Sequence, residues 1–491
     1  MITLTGRHLC SADLHRIALG EPVSLAPEAA AVMAANVASI PQDDNVLARK
    51  RRWLIGEHAA GMAPDELARA FILGHCAGVG DPFPDGVVRA ILAARANVLA
   101  GGHTGSRPEA AEILLAMLRS NVLPRVPSQG SVGAAGDLAP LAHIARVACG
   151  YGGQHPDLPA FVPTPKEALA LINGATVTTA LAALAVARAN KLLSAAITAA
   201  AMTMEVVQAD PGCIDPRPLE ARGHPGEAVV ARQLRAHLDG SRAVVWGRSP
   251  DAFSIRCAPA VLGAAWEALQ HTAAVVDREL NGAADNPLLF EGEWIEAGNF
   301  HGAPVALAMD HLRIALTAVA TQSERRTFRL TYGHLSQGLP SFLVEGTGLN
   351  SGFMLAQYTA ASLASECKGL AFPASVDSIP TVQHHEDHVS MGPIAARRAL
   401  ELLECLADII GIEALLAAQG LDLRARGRAC GPDGQPLPVQ PVAPPPGIAR
   451  PLAAVRAVIP FWEDDGVMHP VLTAAGALVR AGGLGSETSG W

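Results

Sequence analysis

Residues 130–143 read GSVGAAGDLAPLAH, and the fold class follows from how that run is placed. Gly130, Gly133 and Gly136 recur at every third position. Glycines so spaced permit backbone torsions and close approaches that other residues cannot. The plain reading is a loop joining two helices. A phosphate-binding loop is excluded, because no Gly-Lys-Ser/Thr follows and no strand is expected before it.

Working outward, the apolar spacing is helical. Val88, Ile91, Leu92, Ala96 and Leu99 share one helical face, and Pro84-Asp85 supplies a first-turn proline and acid. Val305, Met309, Leu312, Leu316 and Val319 alternate steps of four and three, the seam of a helix packed lengthwise against others. Leu402, Leu406 and Ile409 repeat it. Period-two runs are few and aromatic residues make up only 4%, so the expected class is all-α. Alanine dominates the seams, which favours helix and lets backbones approach closely. The most apolar stretch, residues 180–204, is interrupted by Arg188 and Lys191. It reads as a buried helix, since a membrane span needs about 20 apolar residues.

Four segments are expected: an N-terminal helical domain over 1–200 that carries the glycine-rich run, a central long-helix bundle over 201–427, a loop over 428–450 and a C-terminal helical segment over 451–491. The loop reading rests on seven prolines within residues 431–446. Beyond them, residues 451–482 read as one more amphipathic segment.

The chain has 491 residues, 50% of them hydrophobic and 17% charged, and 37 basic against 46 acidic residues give 37 − 46 = −9. That composition excludes disorder, and the acidic balance argues against a nucleic-acid partner. Eight cysteines stand singly with no C-x-x-C pair, the pattern of reduced thiols, so a cytoplasmic location is expected. The opening residues carry no basic region followed by an apolar one, so no signal peptide is expected. No membrane association is expected either.

Further motifs accompany the glycine-rich run. They are Asn173-Gly174, Phe253-Ser254-Ile255-Arg256-Cys257, Glu279-Leu280-Asn281, Asp285-Asn286-Pro287-Leu288 and Gly298-Asn299-Phe300-His301-Gly302. Ser323-Glu324-Arg325-Arg326, Gly348-Leu349-Asn350-Ser351-Gly352-Phe353-Met354 and Glu386-Asp387-His388-Val389-Ser390-Met391-Gly392 complete the set. In this order and spacing, the sequence resembles the histidine/phenylalanine ammonia-lyase family, the aromatic amino acid lyases. The resemblance implies a helical protomer with a long central bundle, a homotetramer, and active sites where three chains meet. It also implies 4-methylideneimidazol-5-one, an electrophile made without added cofactor from an internal Ala-Ser-Gly.

The chain departs from its relatives at that tripeptide. The matching residues are Ala134, Ala135 and Gly136. The electrophile's methylene comes from the serine Cβ after its hydroxyl is eliminated, and the Ala135 methyl offers no leaving group. The prosthetic group is therefore expected to be absent, and no other cofactor is expected. Other positions differ in chemical type. The family's inner-loop tyrosine falls near Arg51-Arg52-Trp53-Leu54-Ile55-Gly56-Glu57-His58, and no tyrosine precedes Tyr151. A pocket tyrosine is Phe253, a glutamine is Pro250, and an Asn-Gln pair is His384-His385. Changes at several separate places favour natural divergence over a deliberate serine knockout.

Other positions match. By the resemblance, Arg256 grips a substrate carboxylate, a task suited to its planar fork. Asn173 and Asn299 offer polar contacts, Phe300 and Phe253 aromatic walls, and His75 reads the substrate side chain. Glu386, with His384, His385 or His75, would move protons. Taken alone, Arg256 could equally serve a structural ion pair and His75 be a satisfied polar residue. His384 and His388 would share a face if their segment were helical, but His-Glu-x-x-His is broken by Val389, and no metal is expected. Three functions follow in order: an enzyme acting on an amino acid or related small carboxylate without the electrophile, an inactive binding or partner subunit, and a serine-to-alanine inactivated lyase.

Overall fold

The computed structural model describes residues 1–40, 62–247, 251–346, 348–430 and 436–485. Helix dominates it. Among the described residues, strands form only four two-stranded pairs, in keeping with the all-α expectation. The chain divides into two compact units, each discontinuous in sequence. The first comprises Met1–Ala187, His271–Asp310 and Pro373–Leu400; the second comprises Arg188–Gln270, His311–Phe372 and Glu401–Trp491.

In the first unit, helix Asp85–Ala100 starts directly after Pro84 with Asp85 in its first turn. Every residue from Ala90 to its end is buried. Its alanines allow this, because small side chains let helix Pro108–Arg119 on one side and helix Ser11–Ala18 on another pack against it. Arg95 lies in its middle, fully buried, and donates to Thr176 Oγ1 at 3.1 Å, to the Ala284 carbonyl at 3.0 Å and to the Ala170 carbonyl. Burial lowers its pKa to about 10, so it stays charged. Lys166 and Asp285, both buried, form a second ion pair at 2.6 Å.

The glycine-rich run is preceded by a strand, contrary to the sequence expectation. Pro127–Gln129 pairs antiparallel with Val79–Pro82. These three residues are too short and too polar to show an alternating apolar pattern, so the pairing left no periodic signal.

The predicted seams are buried. Val305, Met309, Leu312, Leu316 and Val319 on helix Ala303–Thr331 are all inaccessible to solvent, as are Leu402, Leu406 and Ile409 on helix Gly392–Ala425. Helix Thr176–Val206 contains the apolar stretch 180–204, with Lys191 exposed. It and Ala303–Thr331 are long and apolar enough to cross a membrane, and their most apolar windows are 78% and 56% buried inside the protein.

The proline-rich loop and the segment after it need two corrections. Pro436–Pro438 is a strand paired with Arg428–Cys430, and the C-terminal segment is two helices, Pro446–Val458 and His469–Arg480. Pro446 opens the first of these, where its missing N–H has no helical partner to lose. Pro460 ends it by holding Ile459 extended, at φ −134° and ψ 115°.

The second unit is organised around a buried carboxylate. Glu413 receives Arg326 at 2.5 and 2.8 Å, Ser323 Oγ at 2.6 Å and Thr203 Oγ1 at 2.9 Å. Both members of the ion pair are fully buried. All donors converge on one group, so its desolvation is offset by hydrogen bonds rather than by charge pairing alone. Removing one charge leaves the other unpaired: Arg326→Met is expected to lower unfolding free energy by about 3–5 kcal/mol, read from urea midpoints. The double variant Arg326→Met/Glu413→Leu should be destabilised by less than the sum of the two single changes.

Candidate active site

The Ala134-Ala135-Gly136 turn is built on a contact between two glycines. Gly136 has φ +81°, Gly174 has φ +107°, and the two pair as an isolated parallel bridge. Gly174 N–H donates to the Ala135 carbonyl at 3.3 Å, and Asp137 N–H donates to the Gly174 carbonyl at 2.9 Å. A Cβ on Gly136 would fall 2.2 Å from the Gly174 carbonyl carbon, so only glycine fits. Ala134 is buried and Ala135 half-buried.

Asp137 follows the turn and precedes helix Leu138–Ala148. Its carboxylate accepts from Thr178 N–H at 2.7 Å, Thr178 Oγ1 at 3.2 Å and Ser131 Oγ at 3.2 Å. Burial pushes its pKa up to about 6, although the Thr178 and Ser131 bonds oppose the shift. Glu279 is pushed up to about 7, first by burial and then by the Asp137 charge. Asp137, Glu279, Thr178 and Gly174 were quoted or passed over as motif letters in the sequence, with no pattern assigning them a role. Apart from Ser131, their partners lie tens of residues away in the chain.

The first unit brings several expected site residues to this turn. Ser390 Oγ donates to the Gly133 carbonyl at 3.0 Å, and Met391 N–H donates to the Val132 carbonyl at 2.9 Å. This draws the segment that follows Glu386 against the tripeptide. Asn173 stands immediately before Gly174; its Nδ2 donates to the Asn286 carbonyl at 2.8 Å. Its Oδ1 is buried without a hydrogen-bond partner. Asn299 is exposed and Phe300 half-buried, beside His301, whose Nε2 lies 3.3 Å from the His388 carbonyl. The His301 and His388 rings stack at 5.6 Å.

Glu386 is held by Thr381. The two residues form an isolated antiparallel bridge, and Thr381 Oγ1 donates to Glu386 Oε2 at 2.6 Å. Between them Val382, Gln383 and His384 have φ of 45°, 54° and 65°, a left-handed turn that leaves His384 and His385 exposed. The segment is not an α-helix, so the shared helical face considered for His384 and His388 does not arise. Among the described residues no cluster of three metal-binding side chains occurs.

His75 ends helix Pro64–His75. Its Nδ1 lies 2.7 Å from the Phe71 carbonyl and its ring 4.4 Å from the Phe71 ring, so its polar reading is satisfied within its own helix. The adjoining Cys76 Sγ donates to the Ala142 carbonyl at 3.4 Å. This fastens the helix end to the helix that follows the tripeptide.

Phe253 and Arg256 belong to the second unit, on the short helix Phe253–Arg256. The Ser254 carbonyl accepts from Arg326 Nη1 at 3.4 Å, which ties this turn to the buried Glu413 network. The Arg256 guanidinium carbon stands 5.4 Å from the Phe253 ring centroid, and no carboxylate among the described residues pairs with it. The structural ion-pair reading of Arg256 is thus unsupported. Pro250 and the stretch 51–58 lie outside the described residues.

The family model for aromatic amino acid lyases matches residues 55–438. The histidine ammonia-lyase of Paracidovorax citrulli is 43% identical over 446 residues, covering 87% of this chain and 83% of that protein. The histidine ammonia-lyase of Sorangium cellulosum is 40% identical and covers 98% of both chains. The crystal structure of histidine ammonia-lyase from Trypanosoma cruzi superposes with a TM-score of 0.85 at 34% identity, over 98% of this chain and 94% of that one. The chain belongs to the aromatic amino acid lyase family.

The two raised carboxyls bear on stability. The folded state holds a proton on Glu279 that the unfolded chain releases from about pH 4.5 upward. The resulting stabilisation is complete below that pH and is lost as pH rises through about 7. Glu279→Gln should therefore be about 1–2 kcal/mol more stable than the parent at pH 8 and nearly equal at pH 4, discounting for partial exposure. Urea midpoints measured across that range test this, and parallel pH profiles for the two proteins would refute it.

Proposed function

We propose that this chain binds histidine or a related imidazole-bearing carboxylate and moves protons on it without the family's internal electrophile. Ala135 carries the proposal. The serine-derived methylene requires a hydroxyl to eliminate, and the Cβ at this position bears only hydrogens. The residues present do not fit the prosthetic group, and no step is routed through it. The names of the relatives support histidine as the amino-acid class.

The roles assigned by resemblance then have physical support. Arg256 presents a guanidinium unpaired with any carboxylate among the described residues, available for a bidentate grip on a substrate carboxylate. Asn173 Oδ1 is a buried acceptor without a donor, a state seldom left unsatisfied unless a ligand or water completes it. Asn299 and Phe300 directly precede His301, whose ring stacks on that of His388. Thr381 occupies one oxygen of Glu386 and so orients the carboxylate, leaving Oε1 as the proton acceptor, with His384, His385 and His75 as further proton carriers.

A homotetramer in the cytoplasm completes the proposal. Its support in the second unit is an exposed apolar stripe, Ile314, Phe328 and Tyr332, on and just beyond one long helix, with Leu355 and Tyr358 on another. Isolated protomers seldom leave such surface open.

Intact-mass measurement of the purified chain should equal the unmodified sequence, and titration with the unsaturated acid of histidine should saturate. Arg256→Met should weaken that binding by about 10- to 100-fold. Binding without turnover of any histidine-like acid would favour an inactive binding subunit. Ordinary ammonia release on Ala135→Ser alone would favour an inactivated lyase and end the divergence argument.

A further inference from the structure

We infer that the second unit holds a binding site for a small oxyanion, inorganic phosphate or a small carboxylate, in the cavity between helix Pro225–Leu238 and the start of helix Pro446–Val458. The cavity measures about 210 Å³, below the roughly 300–1,000 Å³ of a drug-sized site. Every residue that lines it belongs to the second unit, and none is among the candidate active-site residues.

The lining suits an anion. Gln233 contributes an amide from one helix and Arg450 a guanidinium from the other, and no described residue that lines the cavity is acidic. Among the described residues, no group hydrogen-bonds the Gln233 side chain. Helix Pro446–Val458 opens at the cavity, with Gly447 in the lining. Gly447 stands too early in the helix for its N–H to reach a carbonyl of that helix, and a helix start carries partial positive charge.

His237 reveals the same arrangement for positive charge. Its Nδ1 lies 3.0 Å from the Gly447 carbonyl, so that nitrogen carries a hydrogen. Its Nε2 lies 3.2 Å from Thr198 Oγ1. The Thr198 hydroxyl has a single hydrogen, which it donates to the Ser194 carbonyl at 3.1 Å. A neutral ring sets the Nε2 lone pair against the hydroxyl oxygen unless Thr198 abandons Ser194, whereas an imidazolium satisfies all three contacts at once. Burial works the other way and lowers the ring's pKa. An anion in the cavity resolves the conflict, because its charge favours the protonated ring.

A further polar group is unsatisfied at the cavity's edge. Ser194 is 4% exposed, and its Oγ has no hydrogen-bond partner. That oxygen lies 3.9 Å from the place a Cβ would take on Gly485, a lining residue. Buried hydroxyls are seldom left so unless water or a ligand completes them.

The test titrates inorganic phosphate into the full chain by calorimetry at fixed ionic strength, with malonate as the carboxylate arm and chloride as the control. Saturable binding of one phosphate per chain is expected. Arg450→Met, a change on the exposed side of its helix, should weaken it about tenfold, and Arg450→Lys should recover part of the loss. Arg256→Met should leave it unchanged, which separates this site from the proposed substrate grip. Phosphate should also raise the thermal midpoint of the parent and not that of Arg450→Met/Gln233→Leu. Tighter binding of phosphate than of malonate assigns a phosphate ligand, the reverse assigns a carboxylate, and either outcome supports the site. Heats that fail to saturate, or binding that Arg256→Met abolishes and Arg450→Met and Gln233→Leu leave intact, would overturn it.

Discussion

The approach of Gly136 to Gly174 is the constraint from which the first unit's site is built. No side chain fits at either position: a Cβ on Gly136 would strike the Gly174 backbone, and one on Gly174 would sit 2.1 Å from the Ala284 carbonyl oxygen. Three backbone segments thus meet with nothing between them. Arg95 donates to the same Ala284 carbonyl and to Thr176, and Asp137 reaches Thr178. Those bonds fasten the turn to the start of helix Thr176–Val206, and they exist only because the glycines let the backbones close.

Much of this was legible in the residues. Glycines at every third position announced close backbone approach, and the step of three and four in Val305, Met309, Leu312, Leu316 and Val319 announced a buried seam, because periodicity is a local property of the chain. What stayed hidden depends on distant partners. Asp137 reads as a helix-opening acid, yet its carboxylate turns to Thr178, forty-one residues on. Glu279 owes part of its raised pKa to Asp137, a residue far from it in sequence. The left-handed turn at Val382, Gln383 and His384 carries no glycine to signal it, and a β-branched residue at φ 45° is a conformation that local preference argues against. That turn is closed from outside, by Thr381 and Glu386.

Helix continuity also misleads a segment-by-segment reading. Division by apolar pattern suggests consecutive domains, whereas the two compact units each gather three separate stretches of chain. Long helices cause this, since one periodic run can contribute its first turns to one unit and its last to the other. The units have separate polar centres, Arg95 with Lys166–Asp285 in the first and Arg326–Glu413 in the second.

The turn's closure is indifferent to the side chain at position 135. Gly174 N–H uses the Ala135 carbonyl, the Asp137 carboxylate uses Thr178 and Ser131, and Ser390 uses the Gly133 carbonyl. None of these bonds engages the side chain of residue 135. A methyl is also smaller than a hydroxymethyl, so the exchange introduces no crowding. The framework that makes this chain 43% identical to a histidine ammonia-lyase is therefore independent of the single oxygen on which that family's electrophile is built. Family likeness measures the framework, and the chemistry available at the turn has to be judged from residue 135 itself.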